Sequence, residues 1–178
     1  MDNYMPMSTK IRHNELAISF PANIFDLIRK KEVRALQEEC SLVYKGYKRK
    51  PEPRFLIDVN NIENITEFID EIIDDLEYIQ PDFLLFQKNP YLTNKRDTRT
   101  AGCPDLIVEI WSKNNDMDER NFKFDLYSSS AKTEHWYIEQ DLNEVKCFLG
   151  KEKLAEQSIE NVLRTANGIE FDLRYLAV

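Results

Sequence analysis

Apolar and polar residues recur along this chain with two different periods, and the switches between them mark out its elements. Residues 64–76 place Ile65, Phe68, Ile69, Ile72, Ile73 and Leu76 at the i, i+3, i+4, i+7, i+8 spacing of an amphipathic helix. Thr9–Phe20 predicts a short helix with Ile11, Leu16, Ile18 and Phe20 apolar, ended by Pro21. From Ala22 to Cys40 helical spacing continues through Ile24, Phe25, Leu27, Ile28, Val33 and Leu36, blurring into the strand-like Leu42-Val43-Tyr44. Residues 1–8 are expected to be loose.

Period-two or β-rich runs predict strands at Phe55–Val59, Glu77–Gln87, Leu106–Trp111, Glu134–Glu139 and Glu144–Leu149. Pro81 inside the second run points to an edge, a bulge or the start of regular pairing. Gln140–Asn143 reads as a hairpin loop joining the last two strands. Lys88–Cys103 reads as a long polar connection. Asp116-x-x-Glu119 resembles a capping box and starts a helix near Met117, with the pairs Phe122/Leu126 and Lys123/Tyr127 on adjacent stripes. The tail predicts a helix around Ser158–Arg164, a turn at Asn167-Gly168 and a last element over Ile169–Leu176. Together these predict one α/β domain spanning 1–178, a central mixed sheet flanked by helices.

Composition narrows the function classes. At 178 residues, with 42% hydrophobic and 31% charged, the chain is an ordinary globular domain able to bury a core. No apolar run approaches the roughly 20 residues needed to cross a bilayer, and the N-terminus lacks the pattern of a secretory signal, so a cytoplasmic protein is expected. Three scattered cysteines suit reduced thiols rather than a disulfide framework. Two histidines without metal-ligand spacing argue against a Cys/His zinc site. The four glycines stand singly, with no phosphate-binding or nucleophile-elbow motif. A net charge of −8 argues against a protein that coats duplex DNA, although a local basic patch with metal ions remains compatible with DNA.

The chemistry concentrates between Pro104 and Tyr127. Glu109 sits among Ile107, Val108, Ile110 and Trp111, and a carboxylate buried there needs a compensating partner, either a metal ion or a lysine. If the strands of Asp82 and Glu109 pair, their carboxylates lie close enough to share a divalent cation such as Mg²⁺. The following helix could bring Lys123 over them. The bland counterpart is a buried ion-pair network without catalysis. Asp105 shares the face of Glu109 but lies roughly 13 Å away along an extended strand, and reads first as part of a turn leading into the strand. Arg120 and Tyr127 are candidate supports with equally good readings as a surface pair and a packed aromatic; His13 and Glu15 could line a site or simply be exposed. Two basic loops stand out in an acidic chain. Lys45–Arg54, with Lys48 and Arg49, and Asn94–Arg99, with Lys95 and Arg96, read as solvated connections or as phosphate contacts.

These residues also carry a family resemblance. Pro81-Asp82 followed by LLF, then PDLIVEIWS, then Glu119-Arg120-x-x-Lys123-x-x-x-Tyr127, then EHWYIEQ, closely resembles the bacterial nucleases of the Uma-two family, part of the PD-(D/E)xK restriction-endonuclease-like superfamily. The resemblance covers roughly Tyr78–Leu149, with weaker echoes at His13 and in the closing NGIEFDLRYL. It implies that Asp82 and Glu109 are the two motif acids and hold Mg²⁺ or Mn²⁺. The superfamily's usual lysine position, two residues past the second acid, is Trp111 here, and the resemblance implies Lys123 on the following helix instead. Ser112-Lys113-Asn114-Asn115 departs from the family's Ser-Pro-Ser-Thr, which makes Lys113 a competing lysine. The implied activity is metal-assisted hydrolysis of DNA phosphodiesters by an endonuclease, with a second copy of the chain as a further expected partner. The alternative is a non-catalytic binding or accessory protein of a mobile element that keeps the fold.

Overall fold

Strand β8 (Leu106–Trp111) is buried at every position, as an apolar run covered on both faces must be. The computed structural model describes residues 7–37, 41–46, 53–68, 76–93 and 99–177. Among these, β8 lies inside a seven-stranded sheet. The sheet order is β1 (Arg34–Gln37), β5 (Phe83–Phe86), β8, β9 (Glu134–Glu139), β10 (Glu144–Leu149) and β11 (Glu152–Lys153), with β12 (Gln157–Ser158) also paired to β10. Strands β8 and β9 run parallel while their neighbours pair antiparallel, so the sheet is mixed. A parallel pair needs a crossover connection, and helix α3 (Met117–Tyr127) lies in it.

Alternation along β8 builds two cores. Leu106, Val108 and Ile110 pack with Phe83, Leu85, Trp136 and Ile138 beneath Leu16, Ala17 and Phe20 of helix α1 (Met7–Asn23). Leu163 and Phe171 of the hairpin β13 (Val162–Arg164)–β14 (Glu170–Asp172) complete that layer. On the other face Ile107 and Trp111 join Leu84, Phe86 and Tyr137 under Leu126 and Tyr127 of α3. A second sheet supplies Leu42 and Tyr44 to this layer. That sheet is ordered β3 (Phe55–Leu56), β2 (Ser41–Lys45), β7 (Arg99–Gly102), β6 (Tyr91–Thr93), with β4 (Glu77–Ile79) also on β2. Glu109 therefore sits on the α3 face, between Ile107 and Trp111.

Several expected elements differ. Helix α1 starts at Met7 and runs through Pro21 to Asn23, so Pro21 lies inside the last turn and does not end the helix. Ile11 and Ile18 are exposed, and the buried stripe is Leu16, Ala17 and Phe20. The helical spacing beyond Ala22 yields only α2 (Phe25–Arg29), after which Lys31 adopts φ 60° and the chain turns into β1. Pairing with β5 overrides a local spacing that fits either structure. Pro81 does more than mark an edge: it separates β4 and β5, which belong to different sheets. The polar connection 88–103 contains the hairpin β6–β7. Strand β3 is two residues long, because the Asp58 side chain caps a 3-10 turn over Val59–Asn61. The expected helix at Ser158–Arg164 is absent; the Gln157 amide bonds both the N–H and the carbonyl of Arg164, holding β12 beside β13. Of the helix expected over 64–76, residues 65–68 are helical and 69–75 lie outside the described residues, as do 1–6 and Cys40.

One buried acid holds the entrance to β8. Asp105 Oδ2 accepts the backbone N–H groups of Gln87 (2.8 Å), Lys88 (3.0 Å) and Asn89 (3.0 Å), tying the end of β5 to the start of β8. Removing that acceptor leaves three donors competing for water. Asp105→Ala should lose about 2 kcal/mol in denaturant unfolding, and Asp105→Asn, which keeps one carbonyl oxygen, less than half of that; equal losses would contradict this role.

Candidate active site

Strand pairing brings the two acids together. β5 and β8 are antiparallel with Phe83 opposite Val108, so continuing the register by one residue sets Asp82 opposite Glu109. Directly opposed residues share a sheet face, with Cβ atoms roughly 4.5–5.5 Å apart. Regular pairing of β5 stops at Phe83, and Asp82 Oδ2 itself accepts the N–H of Ile110 at 2.6 Å, standing in for a ladder acceptor. Its other oxygen, Oδ1, lies 3.1 Å from Nε2 of His13 on α1. The Asp82 carboxylate is thus held from β8 and from α1, at the sheet end where both can reach it.

Glu109 is only 1% exposed. Both of its oxygens meet donors from α3: Lys123 Nζ at 2.7 Å from Oε2, and Tyr127 Oη at 2.5 Å from Oε1. The two donors are four residues apart, so they lie on one helix stripe, one turn after the other. The helix is aimed by its start, where Asp116 Oδ1 accepts the N–H of Asp118 and Asp118 and Glu119 face the helix dipole. It is anchored by Leu126, which is fully buried.

The electrostatics follow from burial. Desolvation pushes the Glu109 carboxyl up to about 7; Asp82 adds to the rise, and Lys123 and Tyr127 offset only part of it. Burial alone would depress Lys123, but Glu109, Asp82 and Glu119 outweigh it and the shift is upward. Burial and the charge of Glu109 carry the Tyr127 hydroxyl well above its usual 10. Lys123 is therefore a cation and Tyr127 a neutral donor at neutral pH. A cation at this position can stabilise developing negative charge but has no free lone pair to abstract a proton.

The other predicted residues are elsewhere or peripheral. Trp111, at the superfamily's usual lysine position, is buried and stacked on Tyr137 with ring centroids 4.2 Å apart. Arg120 lies over the Trp111 ring, donates to the Ser112 carbonyl at 2.5 Å and pairs with Glu139 at 2.7 Å; it braces the end of β8 rather than touching either acid. Lys113 is exposed on the following loop, and its backbone N–H bonds Asp141. Glu15 is exposed on α1, and Asp105 serves the far end of β8. Lys48, Arg49, Lys95 and Arg96 lie outside the described residues. Arg54, flanking the first basic loop, sits over Phe122, the neighbour of Lys123.

His13 is the contact that sequence reasoning underrated, having favoured an exposed residue. Its signal was position: His13, Leu16, Ala17 and Phe20 form an i, i+3, i+4, i+7 stripe.

The donor set fits a hard divalent cation: two neighbouring carboxylates at one end of the sheet, each oxygen carrying one hydrogen bond and retaining a further lone pair. Among the described residues no group of three or more His, Cys, Asp or Glu side chains is placed to hold a metal, so any ion here would complete its shell with water or substrate oxygens, as Mg²⁺ commonly does. No described helix is long and apolar enough to cross a membrane.

A mixed sheet with paired acids, flanked by helices, is a restriction-endonuclease-like fold. A crystal structure of a putative nuclease belonging to DUF820 from Anabaena variabilis superposes with a TM-score of 0.56, over 93% of this chain and 81% of that one, at 12% identity. At that identity the likeness shows the fold. The Uma2 family, described as "Putative restriction endonuclease", matches residues 69–175, more than half of the chain, and the protein belongs to it. A search of curated proteins matched none to this chain.

Because the folded pKa of Glu109 lies above its ordinary 4.5, the folded state binds more proton than the unfolded chain between roughly pH 4.5 and 7. Stability contributed at this site therefore falls as pH rises through that window. In chelator-treated protein, the unfolding free energy of Glu109→Gln minus that of wild type should grow with pH by up to about 3 kcal/mol; parallel pH curves would contradict the assignment.

Proposed function

We propose that the protein is a metal-dependent endodeoxyribonuclease, with Asp82 and Glu109 holding Mg²⁺ or Mn²⁺ and Lys123 stabilising the transition state. The observation that carries this reading is the buried Glu109, within electrostatic reach of Asp82 and bonded to Lys123 at 2.7 Å. Membership of a family described as "Putative restriction endonuclease" and the nuclease-like fold support DNA as the substrate.

When bound, the ion supplies positive charge to the phosphoryl oxygens and a more acidic water. The chain's own residues do the rest. Asp82, fixed at both oxygens, and Glu109, fixed by Lys123 and Tyr127, present preformed carboxylates with little freedom to lose. Lys123 has three N–H donors and spends one on Glu109. It can keep that bond and turn another donor toward the charge that builds on the phosphate, without reorganising. Tyr127 holds the Glu109 carboxylate in place from below. Lys48 and Lys95, in the two basic loops, supply phosphate contacts, and Arg54 lies over the Phe122 ring on the helix that carries Lys123.

One observation favours a second reading, a non-catalytic binding or accessory protein. Every oxygen of the two carboxylates already has a donor within the protein, so the buried charge is partly compensated without any ion. Plasmid DNA incubated with Mn²⁺ separates the two. Nicking should be abolished in Asp82→Ala and Glu109→Ala and slowed roughly 100-fold or more in Lys123→Ala. Intact plasmid with wild-type protein in both Mg²⁺ and Mn²⁺ would favour the second reading, and full-rate cleavage by Lys123→Ala would remove Lys123 from the mechanism.

A further inference from the structure

We infer that His13, contributed by α1 from outside the family-matched residues 69–175, is a positioning residue that fixes the metal-binding carboxylate of Asp82; this rests on the metal-dependent reading above. Asp82 stands just before the first paired residue of β5, at the end of the regular ladder. One oxygen is fixed by the Ile110 N–H. A single hydrogen bond leaves the carboxylate free to rotate about its terminal torsion, which is broad for this side chain. The contact of His13 Nε2 with the other oxygen at 3.1 Å removes that freedom.

The imidazole is aimed by the core rather than by chance. Leu16 and Phe20 are fully buried and Ala17 is 1% exposed, all packed on the face of β8 opposite α3. His13 is the N-terminal member of that same stripe, so the packing that seats α1 also delivers its ring to the sheet end. The His13 and Asp82 side chains are 20% and 17% exposed. The pair lies at the rim of the core, where its loss removes a constraint without leaving a deeply buried charge unpaired. Groups that orient a metal ligand typically contribute a factor of 10–100 to metal affinity or activity when removed.

The test measures Mn²⁺ affinity of the full chain by melting temperature against Mn²⁺ concentration and by the free-ion electron paramagnetic resonance signal, alongside plasmid nicking. His13→Ala and His13→Phe should bind Mn²⁺ about tenfold or more weakly and nick more slowly, with metal-free melting temperatures close to wild type. His13→Gln, whose amide N–H falls near the position of Nε2, should recover most of both. Wild-type affinity in His13→Ala, or failure of His13→Gln to recover while metal-free stability falls equally in all three, would overturn the positioning role and leave the nuclease reading standing. A wild-type protein without any Mn²⁺ response would instead overturn the metal-dependent reading, and this role with it.

Discussion

Placing the carboxylate of Glu109 inside a sheet that is buried on both faces is the constraint around which this molecule is arranged. An isolated ionised carboxylate in such a place costs several kcal/mol, and the protein answers with donors rather than with exposure. Lys123 and Tyr127 reach both oxygens from one stripe of one helix, and they can do so only because α3 crosses between two adjacent parallel strands. Compensation is incomplete, since burial still lifts the carboxyl to about 7. An apolar residue at 109 would be the cheaper solution for stability alone. Retaining the acid is the kind of local cost that functional sites impose.

Around that constraint the sheet end is built from pieces that are distant in sequence. Asp82 ends β5 and borrows a backbone donor from β8; His13 arrives on the opposite layer with α1. Arg120 closes the far side by clasping the Ser112 carbonyl, the Trp111 ring and Glu139 together. The superfamily's usual strand lysine is replaced by this aromatic stack, and the ammonium comes from the helix instead.

Much of this was legible in the chain. Glu109 in an apolar run, the capping residues at Asp116 and the 123/127 spacing are local signals, and each corresponds to an observed feature. The β9–β10 hairpin followed from alternation and order, whereas the pairing of β5 with β8 entered only as the condition for bringing Asp82 and Glu109 together, and the structure meets it. What could not be read was decided by partners. Residues 34–37 have a spacing compatible with a helix and become a strand because β5 offers an edge. The hairpin β6–β7 hides in polar sequence because one of its sides is only half-buried. Ser158–Arg164 lost its expected helix to a glutamine side chain that satisfies the backbone of Arg164. His13 read as exposed because, with Glu15, a lone polar pair on a short helix is more often solvent-facing than part of a site.

The account stands or falls on whether the gap between Asp82 and Glu109 holds a cation. Crystals grown with saturating Mn²⁺, measured for anomalous scattering at the manganese edge, address this directly. The account predicts a single strong anomalous peak within bonding distance of oxygens from both carboxylates, with Lys123 still hydrogen-bonded to Glu109. Manganese bound elsewhere, with both carboxylates keeping only their protein donors, would contradict it.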